Sequence, residues 1–197
     1  NNFDDYQNWL PGEVPGAGDT AVFNVTGSRL VQFTTTNRIG SLYVTGGDLT
    51  FDLSGIMLEL GVGDGGTQID PLRAVSYDSP SSVVFKGGGE GGELRIQNAP
   101  VHLVGSNISF EDGVELRAQQ GVLLSEGTIF NFDGDMYGNL TNIGSVIQPG
   151  GMGVGRMVIY GDLIHQTNQN PDDADNRIGS MVFDLNGYDA DGNVSSD

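Results

Sequence analysis

The sequence predicts an all-β chain wound as a right-handed parallel β-helix, a solenoid, and three observations carry that expectation. The first is period-two alternation. Leu49, Phe51 and Leu53 alternate with Thr50 and Asp52, and Ile56, Leu58 and Leu60 with Met57 and Glu59. Leu94 and Ile96 flank Arg95, Val101 and Leu103 flank His102, Val114 and Leu116 flank Glu115, and Met181, Phe183 and Leu185 flank Val182 and Asp184. Successive side chains on a strand point to opposite faces, so each run reads as a short strand with one buried face. The second is punctuation: 32 Gly are scattered among Asp, Asn, Ser and Thr, and no stretch of helical period is long enough for a crossover helix. The third is internal echo. NRIGSLYV at 37–44 returns as NRIGSMVF at 176–183, NIGSVIQPG at 142–150 is a partial copy, and FDLSG at 51–55 returns as FDLNG at 183–187. Such echoes favour stacked turns over the other architecture this pattern permits, a β-sandwich or jelly roll.

In order along the chain, residues 1–19 hold the lone Trp9, two prolines at 11 and 15 and little alternation, and read as an N-terminal cap over the first turn. Residues 20–197 read as the solenoid domain, about seven to nine turns at roughly 20 to 25 residues each. Within it, 61–80 and the KGGGEGG run at 86–92 read as loops thrown out from the stack, the latter as a flexible tip, and QTNQNPDDADN at 166–176 as a polar excursion. The chain begins at Asn1, as expected of a processed export product or a trimmed chain. It stops at DADGNVSSD where another strand is expected, so the solenoid reads as incomplete at its C-terminal end.

The net charge of −18, from 26 acidic against 8 basic residues, repels polyanions, which excludes nucleic acid and anionic membrane surfaces as natural partners. No apolar run approaches the ~20 residues that span a bilayer. With no Cys there is no disulfide framework and no thiolate nucleophile or thiolate-bound metal.

At NWLPGEVPGAGDTAVF (8–23) and GNLTNIGSVIQPGGMGVGRMVIYGDLIHQ (138–166) the chain resembles exported bacterial parallel β-helix surface proteins, autotransporter passenger-like or C-terminally sorted. The matching positions are Trp9, Pro15, Gly16, Gly18 and Asp19 in the first stretch. In the second they are Gly138, Leu140, Asn142, Gly144, Val146, Pro149, Gly150, Ile159, Gly161 and Asp162. The resemblance covers about a quarter of the chain and implies scaffold, not a particular activity.

Candidate chemistry is sparse. Asp133 and Asp135 lie one residue apart, as a carboxylate pair of a β-helix lyase or hydrolase does, but no basic partner is near them in sequence, and both read as loop aspartates beside Gly134. Asp184, Asn186, Asp189 and Asp191 form an oxygen-rich, glycine-punctuated tail that faintly resembles a calcium loop. It breaks EF-hand spacing at Val194 and has no closing Glu. Asn24, Asn107, Asn139 and Asn193 open Asn-x-Ser/Thr sequons and are glycan acceptors only under export. His102 and His165 sit in no metal-ligand or nucleophile spacing and read as surface residues.

The resulting expectation is a non-enzymatic extracellular structural or adhesive surface protein that self-associates head to tail into a filament or matrix, with calcium as its one candidate cofactor. Two other classes compete with it. One is a polysaccharide-active β-helix enzyme, and the other is a glycan-binding module using outward Tyr43, Tyr77 or Tyr160.

Overall fold

The computed structural model describes residues 1–61, 63, 71–74, 82–150, 155–166 and 180–181. These residues form a parallel β-solenoid of about six turns, with no α-helix among them. The strands are β1 (Thr20–Gln32), β2 (Asn37–Arg38), β3 (Ser41–Asp52), β4 (Met57–Leu60), β5 (Leu72–Ala74), β6 (Ser82–Lys86), β7 (Gly92–Ile96), β8 (Val101–Val104) and β9 (Asn107–Glu111). There follow β10 (Val114–Ala118), β11 (Val122–Ser125), β12 (Ile129–Phe132), β13 (Gly134–Tyr137), β14 (Leu140–Ile143), β15 (Val146–Pro149), β16 (Met157–Tyr160), β17 (Leu163–Gln166) and β18 (Ser180–Met181). Three sheets result. The first runs β1-β3-β6-β9-β12-β15-β18 with β5 also on β3, the second β2-β4-β7-β10-β13-β16, and the third β8-β11-β14-β17. All strand pairs are parallel, for example Leu116 opposite both Leu94 and Met136.

The alternation read from sequence becomes inward columns. Leu49, Val83, Ile108, Phe130 and Ile147 stand in one register line of the first sheet, and Phe51, Phe85, Phe110 and Phe132 in the next. All nine are buried. Phe85 stacks between Phe51 and Phe110, with ring centroids 5.3 and 5.1 Å away, and Phe132 lies 5.0 Å beyond Phe110. At the N-terminal end the column continues through Phe33 to Phe3, whose rings stack at 4.6 Å.

Residues 1–19 lie across the first turn. Asn2 bridges to Gln32, the Phe3 N–H donates to the Gln32 carbonyl at 2.8 Å, and Trp9 sets its edge against Phe3 and Phe23 while its indole N–H donates to the Phe3 carbonyl at 2.7 Å. Asp4 binds the segment to the first corner by accepting from the N–H and hydroxyl groups of Thr34 and Thr35 and from the Asn37 amide. Burial works against ionising this carboxyl, and the hydrogen bonds from Thr34, Asn37 and Thr35 outweigh it, holding the pKa below the ordinary carboxylate value. A depressed folded pKa contributes stability that is complete above the unfolded value of 3.8 and is lost as the pH falls through the lower folded value. Asp4→Asn therefore melts lower than the wild type at pH 7, and the gap in Tm narrows as melts are repeated from pH 5 down to pH 2. A gap that stays constant over that range refutes the assignment.

The turns number about six where length alone predicts seven to nine. The reason is uneven turn length. Val83, Ile108, Phe130 and Ile147 are successive register partners at steps of roughly 17 to 25 residues, whereas Leu49 to Val83 and Ile147 to Met181 each take about 34. The KGGGEGG run is also not thrown out from the stack as a loop. It is the tight corner between β6 and β7, with a 3-10 turn at Gly88–Glu90, and a Cβ on Gly92 would lie 2.5 Å from the Leu53 carbonyl oxygen. Of 61–80, the described β5 returns to the stack with Leu72 buried. The three IGS echoes lead into strands of one sheet, β3, β15 and β18.

The corners also explain two residues of the family-like stretch. A Cβ on Gly138 would meet the Ala118 carbonyl oxygen at 2.2 Å, so the coil beneath passes where a side chain would stand. Asn142 is fully buried, and its amide accepts from the Ser145 N–H at 3.0 Å and donates to the Ser145 carbonyl at 3.1 Å. Asn142→Ala leaves both Ser145 groups buried without those partners and costs about 2 kcal/mol in chemical denaturation. A loss under half a kcal/mol contradicts this role.

Candidate functional site

The outer face of the second sheet gathers charge and aromatic residues that are far apart in sequence. One register line runs Arg38, Glu59, Arg95, Arg117, Tyr137, Tyr160, one residue per turn. The neighbouring line holds Met57, Glu93 and Glu115, with Asp135 and Val158 opposite each other on the strands above. Arg95 pairs with Glu93 at 2.7 Å, Arg117 with Glu115 at 2.6 Å and with Glu93 at 3.3 Å, and Arg156 with Asp135 at 2.7 Å. The Arg117 guanidinium lies 3.9 Å from the Tyr137 ring centroid, and Tyr137 stacks on Tyr160 at 4.6 Å with planes 9° apart. A planar cation over an aromatic face is attracted by the ring quadrupole, so the line ends as a stack of guanidinium, phenol, phenol. Half of the basic residues of a strongly acidic chain thus lie on one face, each matched to a carboxylate.

Glu59 stands on this outer line, as its alternation predicts, yet it is not exposed there. Its side chain is 1% exposed, and it accepts from Arg38 Nε and from the Gln97 amide. A buried carboxylate needs such partners, because removal from water costs several kcal/mol per ion.

Asp133 and Asp135 are brought to one basic residue that the sequence reading missed. Asp133 accepts from the Arg156 N–H at 2.9 Å and Asp135 from the Arg156 guanidinium at 2.7 Å, across one turn. A groove of about 340 Å³ beside Asp133 is lined also by Glu111, Asp112, Ser109 and Asn131. Among the described residues no group of three or more His, Cys, Asp or Glu is placed to hold a metal ion. The expected calcium tail of Asp184, Asn186, Asp189 and Asp191 lies outside the described residues, as do Asn193 and Tyr77. Of the remaining sequons, Asn24 and Asn139 are exposed and Asn107 is half-buried. Asn139 also accepts from the Asp162 N–H at 2.9 Å. His102 and His165 are exposed, His102 within 2.9 Å of the Ser125 hydroxyl. Tyr43 is half-buried and Tyr160 is 54% exposed.

Among the described residues, large apolar side chains are exposed mainly near the first strand and on β16 and β17. Tyr6, Leu10, Val22 and Leu30 belong to the N-terminal segment and first strand, and Tyr160, Leu163 and Ile164 to β16 and β17. Only Ile129, among the described residues, is so exposed between them. Leu163 continues the inward column of Val101, Val122 and Leu140, yet it is 41% exposed where those three are buried. At the other end a groove of about 400 Å³ is lined by Trp9, Leu10, Val22, Phe23, Glu13 and Arg29, among others.

These features define a class: a parallel β-solenoid whose described outer face carries matched charges and stacked tyrosines, with exposed apolar groups near its first strand and on β16 and β17. Comparison with protein-family models, with curated proteins and with solved structures finds no match.

Proposed function

We propose that the chain is a non-enzymatic extracellular structural or adhesive surface protein whose copies stack head to tail. The observation that carries this reading is that large exposed apolar side chains among the described residues gather in two places, the N-terminal segment with β1 and the late strands β16 and β17, with different residues in each. A contact between unlike ends is heterologous and does not close on itself, so it propagates as a filament. Exposed strand edges at solenoid ends are also the surfaces that stack unless covered. Commitment of Asp133 and Asp135 to Arg156 supports the non-enzymatic reading, because both carboxylates already serve a turn-to-turn clamp.

Sedimentation velocity over a concentration series tests the reading. The weight-average mass rises with concentration, and rises further as salt screens the charge of −18. Filaments seen by electron microscopy have an axial repeat on the order of 30 Å, from about six turns at a sheet spacing of ~4.8 Å. A strict monomer at every concentration and salt level overturns it.

A glycan-binding role is the second reading, favoured by exposed Tyr160 on a face whose charges are internally neutralised. A glycan array separates the two, since this role requires retention of saccharides by the wild type and its loss in Tyr160→Ala.

A further inference from the structure

We infer that the groove between the N-terminal segment and β1 binds the C-terminal tail of a partner polypeptide, added to β1 as a parallel strand with its carboxylate on Arg29. This does not rest on the stacking of copies.

β1 opens the first sheet, with β3 on one side of it. In a parallel ladder the N–H and carbonyl of one residue turn to the same side, and those of its neighbours to the other. The Asp19 carbonyl accepts from the Ser41 N–H, so Ala21 and Phe23 bond toward β3, and Thr20 and Val22 turn their backbone groups away from it. No described residue pairs with Thr20 or Val22 on that side. Both line the groove of about 400 Å³, together with Trp9, Leu10 and Phe23. Trp9 and Phe23 meet edge to face at 5.4 Å, and Val22 is 53% exposed. An open strand edge beside apolar walls takes an extended peptide, its main chain on the edge and alternate side chains against the walls.

The same edge dictates that the peptide ends there. Beside Leu30–Gln32 the position is taken: the Gln32 N–H donates to the Asn1 carbonyl and the Phe3 N–H to the Gln32 carbonyl, each at 2.8 Å, with Asn2 opposite Gln32 in parallel. A parallel strand laid along Thr20 to Val25 runs toward this arm and stops before it. The residue at that point is Arg29, which also lines the groove. Arg38, Lys86, Arg95, Arg117 and Arg156 each meet a carboxylate, whereas the Arg29 guanidinium donates only to the Ser28 carbonyl, at 3.0 Å. Arg29 stands on the register line of Leu49, Val83 and Ile108, which is otherwise apolar. An unmatched guanidinium in a chain of charge −18 is complementary to a carboxylate, and a strand that must stop beside it supplies one. Glu13, on the same groove, favours a basic residue within the tail.

The test presents random five-residue tails with a free carboxylate to the full chain, dilute enough to be monomeric, beside the same tails capped as amides. Free tails with alternate apolar residues are retained, and amidation weakens the best of them about tenfold. Arg29→Gln gives the same loss for the free tail and no further loss for the amide, because both changes remove one contact. Val22→Pro removes an edge N–H and leaves the bonds to β3, since proline is tolerated on an open edge, and it weakens binding about tenfold at an unchanged urea midpoint. If Val22→Pro lowers that midpoint, hydrogen exchange of the wild type replaces it: the Val22 amide exchanges more slowly with the best tail bound. Equal retention of free and amidated tails, or binding unmoved by Arg29→Gln, overturns the proposal. So does binding lost in Arg29→Gln but kept in a folded Val22→Pro, which means an anion site without an added strand, and so does a library from which nothing is retained.

Discussion

Phe85→Ala loses about 4 kcal/mol of unfolding free energy, read as a lower midpoint at unchanged slope in urea. The ring is fully buried and stacked on both faces, on Phe51 below and Phe110 above. Truncating a buried Phe costs roughly 3–5 kcal/mol through lost transfer energy and the cavity left behind. Two aromatic contacts, each worth about 0.5–1.5 kcal/mol beyond area burial, place this position toward the upper part of that range. Phe85→Leu keeps most of the volume and loses about half as much. Equal losses for Ala and Leu mean that ring stacking, not volume, dominates the column. A loss below 1 kcal/mol for Ala contradicts the stacked core.

Arg38→Met is the second large effect, about 3 kcal/mol in the same measurement. The cost is not the absence of an attractive pair on the surface. It is the retention of a Glu59 carboxylate, 1% exposed, with only the Gln97 amide against it. The double variant Arg38→Met with Glu59→Met returns to within about 1 kcal/mol of the wild type, because replacing both members with apolar groups removes the desolvation problem along with the attraction. If the double variant is as unstable as the single one, Arg38 acts through its aliphatic stem and not its charge. Arg156→Met serves as the contrast. Its pair with Asp135 is 69% exposed on the arginine side, so the salt bridge itself contributes at most about 1 kcal/mol.

Alternation over Leu49, Phe51 and Leu53 was enough to place those side chains in the core, because facing is decided by neighbours one and two residues away. The same local rule placed His102 and Glu59 outward, but facing does not fix exposure, and Arg38 and Gln97 bury Glu59 on that outer line. Register was not legible in the same way. Which Phe meets which depends on how many residues each corner uses, and the corners differ widely. Thus Asp133 and Asp135 read as isolated loop acids, although Arg156 sits one turn above them. A signal for the charged face did exist: Glu-Leu-Arg occurs at 93–95 and again at 115–117, and the two copies stand directly opposite each other on β7 and β10. A Phe followed by a charged residue recurs at Phe51, Phe85, Phe110 and Phe132, each at the end of a strand of the first sheet or just beside it. Short echoes of this kind mark vertical neighbours better than the longer IGS copies do, since they belong to strand ends that must align.

The long step from Leu49 to Val83 carries a consequence for how such a chain changes over generations. The extra residues between them leave Leu49 opposite Val83 and Phe51 opposite Phe85, in unbroken register. A solenoid of this build therefore keeps two separate accounts of its sequence. Corners that do not press on the coil beneath, unlike those at Gly92 and Gly138, tolerate insertion and deletion. A single residue added within a strand is different in kind: it turns the following side chains inside out, sending phenylalanines to solvent and carboxylates into the column. Variation in length should then be concentrated at corners, and new surface can be grafted there without disturbing the columns of neighbouring turns.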